Sequence, residues 1–329
     1  MTNPKPAVLV TRKLPQAIET RLMELFETRL NPTDEPMSAE ALIAASAETD
    51  VLVPTVTDRL AAEVIDALPE RLRLIANFGV GVDHIDLAAA AARGILVTNT
   101  PGVLTEDTAD LTMALMLSAP RRMVEGDRLA RSGEWDGWTP TFMMGERVSG
   151  KRLGIVGMGR IGTAVARRAR GFSMSIHYHN RRRVHRDVEA ELEATWWEDL
   201  DQMLAHMDFI SINCPHTSET RHLLSEARLR SLQPHAFVVN TSRGEIIDEA
   251  ALARCLAEGV LGGAGLDVYE REPEIEAGLR RLDNVVLAPH LGSATREGRI
   301  AMGERVLINI RTHADGYTPP DRVIPADGL

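Results

Sequence analysis

The stretch KRLGIVGMGRIG, residues 151–162, is the strongest indication of fold class in this 329-residue chain. It joins an apolar strand pattern, a GxGxxG loop and the start of a helical pattern. Gly157 permits a tight turn, Gly159 lets the backbone approach a pyrophosphate, and Gly162 lets the helix pack against the strand. The N–H groups at the start of such a helix attract anions. The stretch therefore predicts a dinucleotide-binding βαβ unit.

Strand and helix patterns alternate on both sides of this stretch. The first series contains four predicted strands, at residues 7–10, 50–54, 71–79 and 94–99. The second series contains six, at residues 151–157, 174–179, 208–215, 236–240, 263–268 and 284–290. Regular alternation predicts parallel sheets with helices on both faces. The expected fold class is α/β, with two doubly wound parallel-sheet domains.

The helical patterns define the domain organisation. Helices are predicted at residues 14–27, 38–48 and 57–68, with Ser38 and Thr57 placed to cap two of them. One long helix is predicted from residue 106 to about residue 131, and a last helix covers 295–314. Because the second series is inserted into the first, the smaller domain is expected to be discontinuous. We expect residues 1–102 and 293–329 to form a substrate domain, and residues 103–292 to form the dinucleotide-binding domain.

Composition limits the possible partners. The chain has 37 Lys and Arg residues against 47 Asp and Glu residues, a formal net charge of −10. Such a balance argues against general nucleic-acid binding, which needs an excess of cations. The N-terminal segment lacks a signal-peptide pattern, and no apolar run approaches the ~20 residues that span a bilayer. We therefore expect a cytoplasmic protein with no nucleic-acid and no membrane partner.

Cysteine and histidine patterns argue against metal or disulfide chemistry. The two cysteines, Cys214 and Cys255, are too few for a disulfide framework or a Cys-rich zinc module, and they suit a reducing compartment. His177 and His179 share one face of a predicted strand but have no third ligand nearby in the sequence. HExxH and CxxC motifs are both missing from the sequence, so no metal site is predicted.

The end of the second strand of the dinucleotide unit indicates the cofactor. Sites for NAD usually carry an acidic residue there, which binds the ribose 2′-hydroxyl. In this chain the position holds the uncharged Asn180, followed by Arg181, Arg182 and Arg183. Guanidinium groups suit a 2′-phosphate, so the sequence predicts that NADP(H) is preferred and that NAD(H) is possible. A solvated basic turn is the alternative interpretation of the three arginines.

Three candidate catalytic residues follow successive strands. Arg243, Glu272 and His290 each lie at or just after the end of one of the last three predicted strands. The carboxyl ends of parallel strands line the ligand crevice of an open α/β sheet. We therefore expect these three side chains to converge near the nicotinamide end of the cofactor.

At this point the chain resembles the D-isomer-specific 2-hydroxyacid dehydrogenases over nearly its full length. The resemblance rests on GVGVDHID (79–86), GMGRIG (157–162), NTSRGEIIDEAAL (240–252), GAGLDVYEREP (263–273) and PHLGSAT (289–295). Within the family the chain is most similar to glyoxylate and hydroxypyruvate reductases, through its HNRRR, GEWDGW and HLGSAT segments. The resemblance implies a Rossmann cofactor domain inserted into a smaller flavodoxin-like substrate domain. It also implies NAD(P)-dependent reduction of glyoxylate or hydroxypyruvate to the D-2-hydroxy acid.

The resemblance also implies a role for each candidate residue. Arg243 would hold the substrate carboxylate and polarise the keto oxygen, and His290 would be the general acid. Glu272 would orient the imidazole of His290. The N–H groups of Val80 and Gly81 would bind the substrate carboxylate from the smaller domain, with the substrate between the two domains.

Other residues match cofactor-lining or neighbouring positions of the family. The cofactor-lining matches are Thr108, Arg160, Ile161, Cys214, Thr220, Thr241, Asp267, His290 and Gly292. Ser293 and Arg296 follow the catalytic histidine, and His216 departs from the family pattern, which usually has an apolar residue there. Trp135 and Trp138 either pack at a dimer interface or are buried in the ordinary way. The family implies a homodimer.

Two alternatives to a glyoxylate or hydroxypyruvate reductase stay open. The chain could be another D-2-hydroxyacid dehydrogenase, such as a 2-ketogluconate reductase. It could also be a dinucleotide-sensing binding protein, as the corepressors of the family are, because these share the fold and can keep the three catalytic residues.

Overall fold

The computed structural model describes residues 5–324. The chain divides into two compact units, Met1–Leu104 together with Thr295–Leu329, and Thr105–Ala294. Both boundaries lie two residues from the predicted positions at 102/103 and 292/293. Residues 1–4 and 325–329, which the sequence assigned to the substrate domain, lie outside the described residues.

The first unit contains a five-stranded parallel sheet in the order β2-β1-β3-β4-β5. This is the strand order of flavodoxin-like folds, as predicted. Its strands are β1 (Ala7–Val10), β2 (Glu27–Arg29), β3 (Val51–Val53), β4 (Leu74–Ala76) and β5 (Leu96–Thr98). Its first four helices are α1 (Gln16–Leu25), α2 (Ala39–Ala45), α3 (Ala62–Ala67) and α4 (Leu87–Ala92).

The second unit contains a seven-stranded parallel sheet in the order β12-β11-β10-β9-β6-β7-β8. Counted from its own first strand, β6, the order is that of a Rossmann sheet with one further strand. Its strands are β6 (Arg152–Val156), β7 (Ser175–His179), β8 (Thr195–Trp196), β9 (Phe209–Ile212), β10 (Phe237–Asn240), β11 (Gly263–Leu266) and β12 (Val285–Leu287). Its helices are α5 (Thr105–Ser118), α6 (Met123–Ser132), α7 (Arg160–Arg170), α8 (Arg186–Leu192), α9 (Leu200–Leu204), α10 (Glu226–Ser231) and α11 (Glu249–Ala257).

The terminal helix α12 (Arg296–Ala314) belongs to the first unit. It packs so closely on α1 that a Cβ added at Gly303 would overlap the side chain of Ile18. Met302, Val306 and Ile310 of α12 are buried in the same hydrophobic core as the strands β1, β3 and β4. The prediction of a helix over residues 295–314 is confirmed to within one residue.

The predicted long helix over residues 106–131 is wrong, because the chain forms two helices there. Helix α5 ends at Ser118 and α6 begins at Met123. Proline has no backbone N–H to continue a helix and disfavours helical geometry in the preceding residue, so Pro120 breaks the pattern. Arg122 then takes a left-handed φ of 51° as the chain turns into α6.

The two strands that the sequence did not predict, β2 and β8, are both edge strands. Strand β2 has three polar residues and β8 has only two residues, Thr195 and Trp196, and such short edge strands give no apolar run. The predicted helix caps are half correct. The hydroxyl of Ser38 accepts a hydrogen bond from the Ala41 N–H at 3.2 Å. Thr57 caps no helix, because α3 begins at Ala62 and Thr57 lies in the preceding turn.

None of the helices described for residues 5–324 is both long and apolar enough to cross a bilayer.

Candidate active site

The glycine loop has the geometry that a dinucleotide requires. Gly157 takes a φ of +100°, and a Cβ there would overlap the backbone of Cys214. A Cβ at Gly162, in the first turn of α7, would overlap the carbonyl oxygen of Gly157. At Gly159 a Cβ would meet no protein atom within 4 Å, so the loop presents open space there, directly before α7. These residues fit a pyrophosphate held at the start of a helix.

Asn180 is bound to the glycine loop. Its side-chain oxygen accepts a hydrogen bond from the backbone N–H of Met158 at 2.7 Å. Arg181 and Arg182, which follow it, are exposed. Arg183 is engaged elsewhere, in two hydrogen bonds of 2.7 Å to the carboxylate of Glu189. All three arginines after β7 are therefore exposed at the edge of the predicted cofactor site, and the Glu189 carboxylate holds Arg183 there.

The predicted catalytic residues follow three neighbouring strands of one sheet. Arg243 lies just beyond β10, Glu272 beyond β11 and His290 beyond β12, and these strands are adjacent and parallel. Because all three strands run the same way, their carboxyl ends meet at one edge of the sheet. The glycine loop leaves β6 at that same edge.

His290 and Glu272 are hydrogen-bonded to each other. His290 Nδ1 lies 2.7 Å from Glu272 Oε2, and the other carboxylate oxygen of Glu272 accepts from the backbone N–H of Tyr269 at 3.1 Å. Both side chains are about one-third exposed, at 32% and 35%. The carboxylate thus fixes the orientation of the imidazole and leaves Nε2 as the ring nitrogen that can face a substrate.

Asp267 holds the turn that carries His290. Its carboxylate accepts hydrogen bonds from the N–H groups of Leu291 at 2.6 Å and Gly292 at 2.8 Å, and its carbonyl accepts from the His290 N–H at 2.9 Å. Burial raises the pKa of Asp267, although these backbone bonds favour its ionised form. His290 has a left-handed φ of 56°, a conformation that a non-glycine residue keeps only when its surroundings enforce it.

Gly244, the residue after Arg243, brings Arg243 close to the loop that carries Glu272. A Cβ at Gly244 would overlap the backbone of Tyr269 and Glu270, so the two chain segments are in direct backbone contact. Only glycine permits this approach. The guanidinium of Arg243 donates to the carbonyl of Ser242 at 2.8 Å.

A pair of glutamates that sequence reasoning missed supports the Glu272 loop. The Glu249 carboxylate accepts from the N–H groups of Glu270 and Glu276, both at 2.7 Å. The Glu270 carboxylate accepts in return from the Glu249 N–H at 2.8 Å. Glu249 is buried, at 8% exposed. The available signal was Glu249 itself, an acidic residue directly before the apolar run AAL within the motif of residues 240–252.

Val80 and Gly81 lie in the first unit, in the loop that follows β4, and both are half-buried. The loop is bound to its own unit through its carbonyl groups, including a 2.8 Å hydrogen bond from the side chain of Asn99 to the carbonyl of Val80.

Other residues matched to cofactor-lining positions mostly bind the protein itself. The Thr108 hydroxyl donates to the Gly292 carbonyl at 3.0 Å, and the Thr241 hydroxyl lies 2.8 Å from that of Thr112. The Thr220 hydroxyl donates to the Pro215 carbonyl at 2.8 Å. Burial raises the pKa of the Cys214 thiol to about 11, which disfavours the reactive thiolate form.

The remaining histidines and tryptophans have structural surroundings. The Trp197 indole donates to His177 Nδ1 at 3.1 Å, and His179 Nδ1 lies 3.1 Å from the Trp197 carbonyl. Within residues 5–324 no group of three or more His, Cys, Asp or Glu side chains is arranged to hold a metal. Trp135 and Trp138 are 57% and 77% exposed, so ordinary burial does not describe them.

The doubly wound sheet carries a glycine loop, a His–Glu pair and an arginine at one edge. This combination is typical of nicotinamide-dependent dehydrogenases. The model of the D-isomer specific 2-hydroxyacid dehydrogenase NAD binding domain matches residues 113–292, all within the second unit. The chain belongs to the D-isomer-specific 2-hydroxyacid dehydrogenase family and is an NAD(P)-dependent oxidoreductase similar to glyoxylate reductases.

Individual relatives are similar over nearly the whole chain. A glyoxylate reductase of Korarchaeum cryptofilum is 46% identical over 321 residues, covering 97% of this chain and 96% of the relative. A glyoxylate reductase of Thermococcus onnurineus is 45% identical over 323 residues, with coverage of 97% and 96%. The NADPH-dependent glyoxylate/hydroxypyruvate reductase of Sinorhizobium meliloti, solved with NADP and malonate, is 34% identical, with a TM-score of 0.87 and 97% of each chain covered.

Proposed function

We propose that the protein reduces glyoxylate or hydroxypyruvate to the D-2-hydroxy acid with NADPH, using His290 as the general acid. The observation that carries the proposal is the 2.7 Å contact between His290 Nδ1 and Glu272 Oε2, at the sheet edge where Arg243 also lies. Relatives named glyoxylate reductase, at 45% and 46% identity, support the substrate class.

The proposed chemistry assigns one task to each side chain. Arg243 binds the substrate carboxylate and polarises the keto oxygen with its planar guanidinium. His290 donates the proton on Nε2 to the carbonyl oxygen as that oxygen gains negative charge. Glu272 holds the imidazole in position and stabilises the imidazolium before the proton is transferred. The bound nicotinamide supplies the hydride that reduces the carbonyl carbon.

The two units have different proposed roles. The second unit binds the dinucleotide, with the pyrophosphate at Gly159 and the start of α7. The first unit, through the N–H groups of Val80 and Gly81, binds the substrate carboxylate. The nicotinamide-side contacts come from the residues matched to the family, among them Thr108, Thr241 and Asp267.

Preference for NADP(H) over NAD(H) is part of the proposal. Position 180 carries an amide whose oxygen is already bound to Met158, so no carboxylate opposes a 2′-phosphate there. Arg181 and Arg182 are exposed directly beyond it and are the proposed phosphate ligands. The Sinorhizobium meliloti relative, described as NADPH-dependent, supports the same choice.

We further propose a homodimer. The support is a set of exposed apolar side chains along α6 and the segment after it: Met123 at 58%, Trp135 at 57%, Trp138 at 77% and Met144 at 67%. Exposed apolar patches of this kind usually mark protein interfaces. Sedimentation equilibrium distinguishes a dimer from a monomer.

The proposed activity is tested by a panel of 2-keto acids, each with NADPH and with NADH, compared by kcat/KM. Glyoxylate and hydroxypyruvate with NADPH are expected to give the highest values. A larger sugar keto acid as the best substrate would favour a 2-ketogluconate reductase. Tight NADPH binding without turnover of any 2-keto acid would favour a dinucleotide sensor.

A further inference from the structure

We propose that Asn77 is the positioning residue for the substrate carboxylate. Its side-chain amide holds the loop of residues 79–82, called here the carboxylate loop, with its carbonyl groups inward and its N–H groups outward. The inference rests on the proposed function, in which the N–H groups of Val80 and Gly81 bind that carboxylate.

Asn77 is fully buried directly after β4 and bridges two carbonyl groups of the loop. Its side-chain nitrogen Nδ2 donates to the Gly79 carbonyl at 3.0 Å and to the Gly81 carbonyl at 2.9 Å. Its exposed fraction is 0%. Both hydrogens of the amide are therefore used on the loop.

The carbonyl between these two is bound as well. The side chain of Asn99, which follows the neighbouring strand β5, donates to the Val80 carbonyl at 2.8 Å. The backbone N–H of Thr100 adds a second bond to the Gly79 carbonyl, at 3.0 Å. Three successive carbonyl groups, at residues 79, 80 and 81, are thus held by the body of the first unit.

Because the peptide group is planar, these bonds to the carbonyl groups also orient the N–H groups of the loop. In a trans peptide the N–H of a residue points opposite to the carbonyl of the residue before it. Holding the carbonyls of residues 79–81 therefore turns the N–H groups of Val80, Gly81 and Val82 away from the groups that hold them. Across residues 5–324, none of these three N–H groups donates to a protein acceptor. Successive unpaired N–H groups form a concave binding site for anions, and Val82 adds a third donor to the two proposed.

His84 fixes which way the Asn77 amide is turned. Its ring nitrogen Nε2 lies 3.1 Å from Asn77 Oδ1. Because both Nδ2 hydrogens go to carbonyl groups, Oδ1 is the acceptor and Nε2 is the donor. The reversed amide would set an oxygen against two carbonyl oxygens. The loop also packs tightly on the amide, since a Cβ at Gly79 would lie 3.3 Å from Asn77 Nδ2.

The test compares Asn77→Asp and Asn77→Leu with wild type in glyoxylate reduction by NADPH. Both variants remove the donors that hold the Gly79 and Gly81 carbonyls. The carboxylate is bound in both ground and transition state, so the loss appears in KM more than in kcat. We expect KM for glyoxylate to rise by at least about tenfold, with kcat within about threefold of wild type and an unchanged Kd for NADPH.

Asn31 offers a matched control in the same unit. Its side-chain nitrogen also bridges two backbone carbonyls, those of Thr11 and Glu35, both at 2.8 Å, and the residue is 7% exposed. Asn31→Asp and Asn31→Leu therefore lose the same kind of bonds. They are expected to lower Tm by a similar amount and to leave KM unchanged.

A milder variant and a binding measurement keep the test decisive if the Asn77 variants fold poorly. Asn99→Ala removes only the bond to the Val80 carbonyl, and we expect a KM increase of about three- to tenfold. The Kd of oxamate, a 2-keto acid analogue, is measured on the NADP⁺ complex of each variant and is expected to follow KM.

The possible results distinguish failure of the proposed function from failure of the role proposed for Asn77. If the wild-type enzyme reduces no 2-keto acid, the proposed function is contradicted. The positioning role of Asn77 is then tested by the Kd values for oxamate alone. Variants at Asn77 and Asn99 that bind oxamate as tightly as wild type, or that weaken it no more than the Asn31 variants do, overturn the positioning role.

Discussion

His290 Nδ1 and Glu272 Oε2 lie 2.7 Å apart, although 18 residues and one strand separate them in the chain. The bond leaves His290 Nε2 as the nitrogen that can donate to a substrate. Asp267 holds the His290 turn through two backbone N–H groups, and Glu249 holds the Glu272 loop through two others. The pair is therefore fixed from both sides by buried carboxylates.

Glu272→Gln keeps the shape of the side chain and removes its charge. Without the carboxylate the imidazolium of His290 loses its stabilising partner, so we expect kcat to fall by roughly 10- to 100-fold. The Kd for NADPH is expected to stay the same. Glu274→Gln, two residues further along the same loop and exposed, is the control and should behave as wild type. Equal kcat values for the two variants would remove Glu272 from the mechanism.

Two glycines of one loop are expected to respond differently to alanine. Gly157→Ala puts a Cβ into the backbone of Cys214 at a φ of +100°, so it should destabilise the fold by about 2 kcal/mol or more. Gly159→Ala meets only open space, so Tm should change little.

In Gly159→Ala, the added methyl group would occupy the space proposed for the pyrophosphate. We therefore expect the Kd for NADPH to rise at least about tenfold in Gly159→Ala. Thermal melts and fluorescence titrations measure the two quantities on both variants. Unchanged NADPH affinity in Gly159→Ala would place the pyrophosphate elsewhere.

Removing the exposed arginines after β7 is expected to weaken NADPH selectively. In Arg181→Ser combined with Arg182→Ser, KM for NADPH should rise by roughly 10- to 100-fold while KM for NADH stays nearly constant. Arg186→Ser is the control, because Arg186 is a similarly exposed cation in the same segment, with an ion-pair contact of 4.0 Å to Asp187. A parallel rise in the KM values for both cofactors would argue against a 2′-phosphate site.

Asp208 makes a pH-dependent contribution to stability. Burial alone would raise the pKa of this carboxyl, but hydrogen bonds from Arg152 and His235 outweigh it and hold the pKa well below its usual value of 3.8. A lowered pKa means that the ionised form is favoured by folding. The stabilisation is therefore complete above about pH 5 and is lost as the pH falls through 4 towards the folded-state pKa.

Asp208→Asn tests whether the stabilisation by Asp208 decreases as the pH falls. We expect it to lower the free energy of unfolding by about 1–3 kcal/mol at pH 7, with the difference from wild type shrinking below pH 4. Asp201→Asn is the control, since that carboxylate is 62% exposed in its ion pair with Arg228 and should cost less than about 1 kcal/mol. A difference that grows on acidification would contradict this account of Asp208.

The buried strands were well predicted from the sequence, because strands covered on both faces of a parallel sheet form short continuous apolar runs. All ten predicted strands are confirmed, and the GxGxxG stretch forms the expected strand, turn and helix. The two edge strands β2 and β8 escaped prediction. All three side chains of β2 are polar, and β8 is only two residues long, so its Trp196, which packs against the core, makes no apolar run. The break at Pro120 was overlooked because apolar residues continue on both sides of it.

The sequence pointed to the side chains that we propose to react, but not to the residues that hold them in place. Arg243, Glu272 and His290 stand out as ionisable residues at strand ends. Asn77 and Glu249 act through bonds to backbone groups that are distant in the chain or hidden in a loop, and residue type alone does not reveal such partners. Their roles depend on where the folded backbone places its carbonyl and N–H groups.

The role of His290 as general acid in glyoxylate reduction is tested by the initial rate of NADPH oxidation with glyoxylate. The rate is measured for wild type and His290→Gln, and the Kd for NADPH is determined for each. We expect turnover by wild type, a loss of roughly 10²- to 10⁴-fold in kcat for His290→Gln, and equal NADPH affinity in the two proteins. Comparable rates for the two proteins, or no turnover by wild type, would contradict this role.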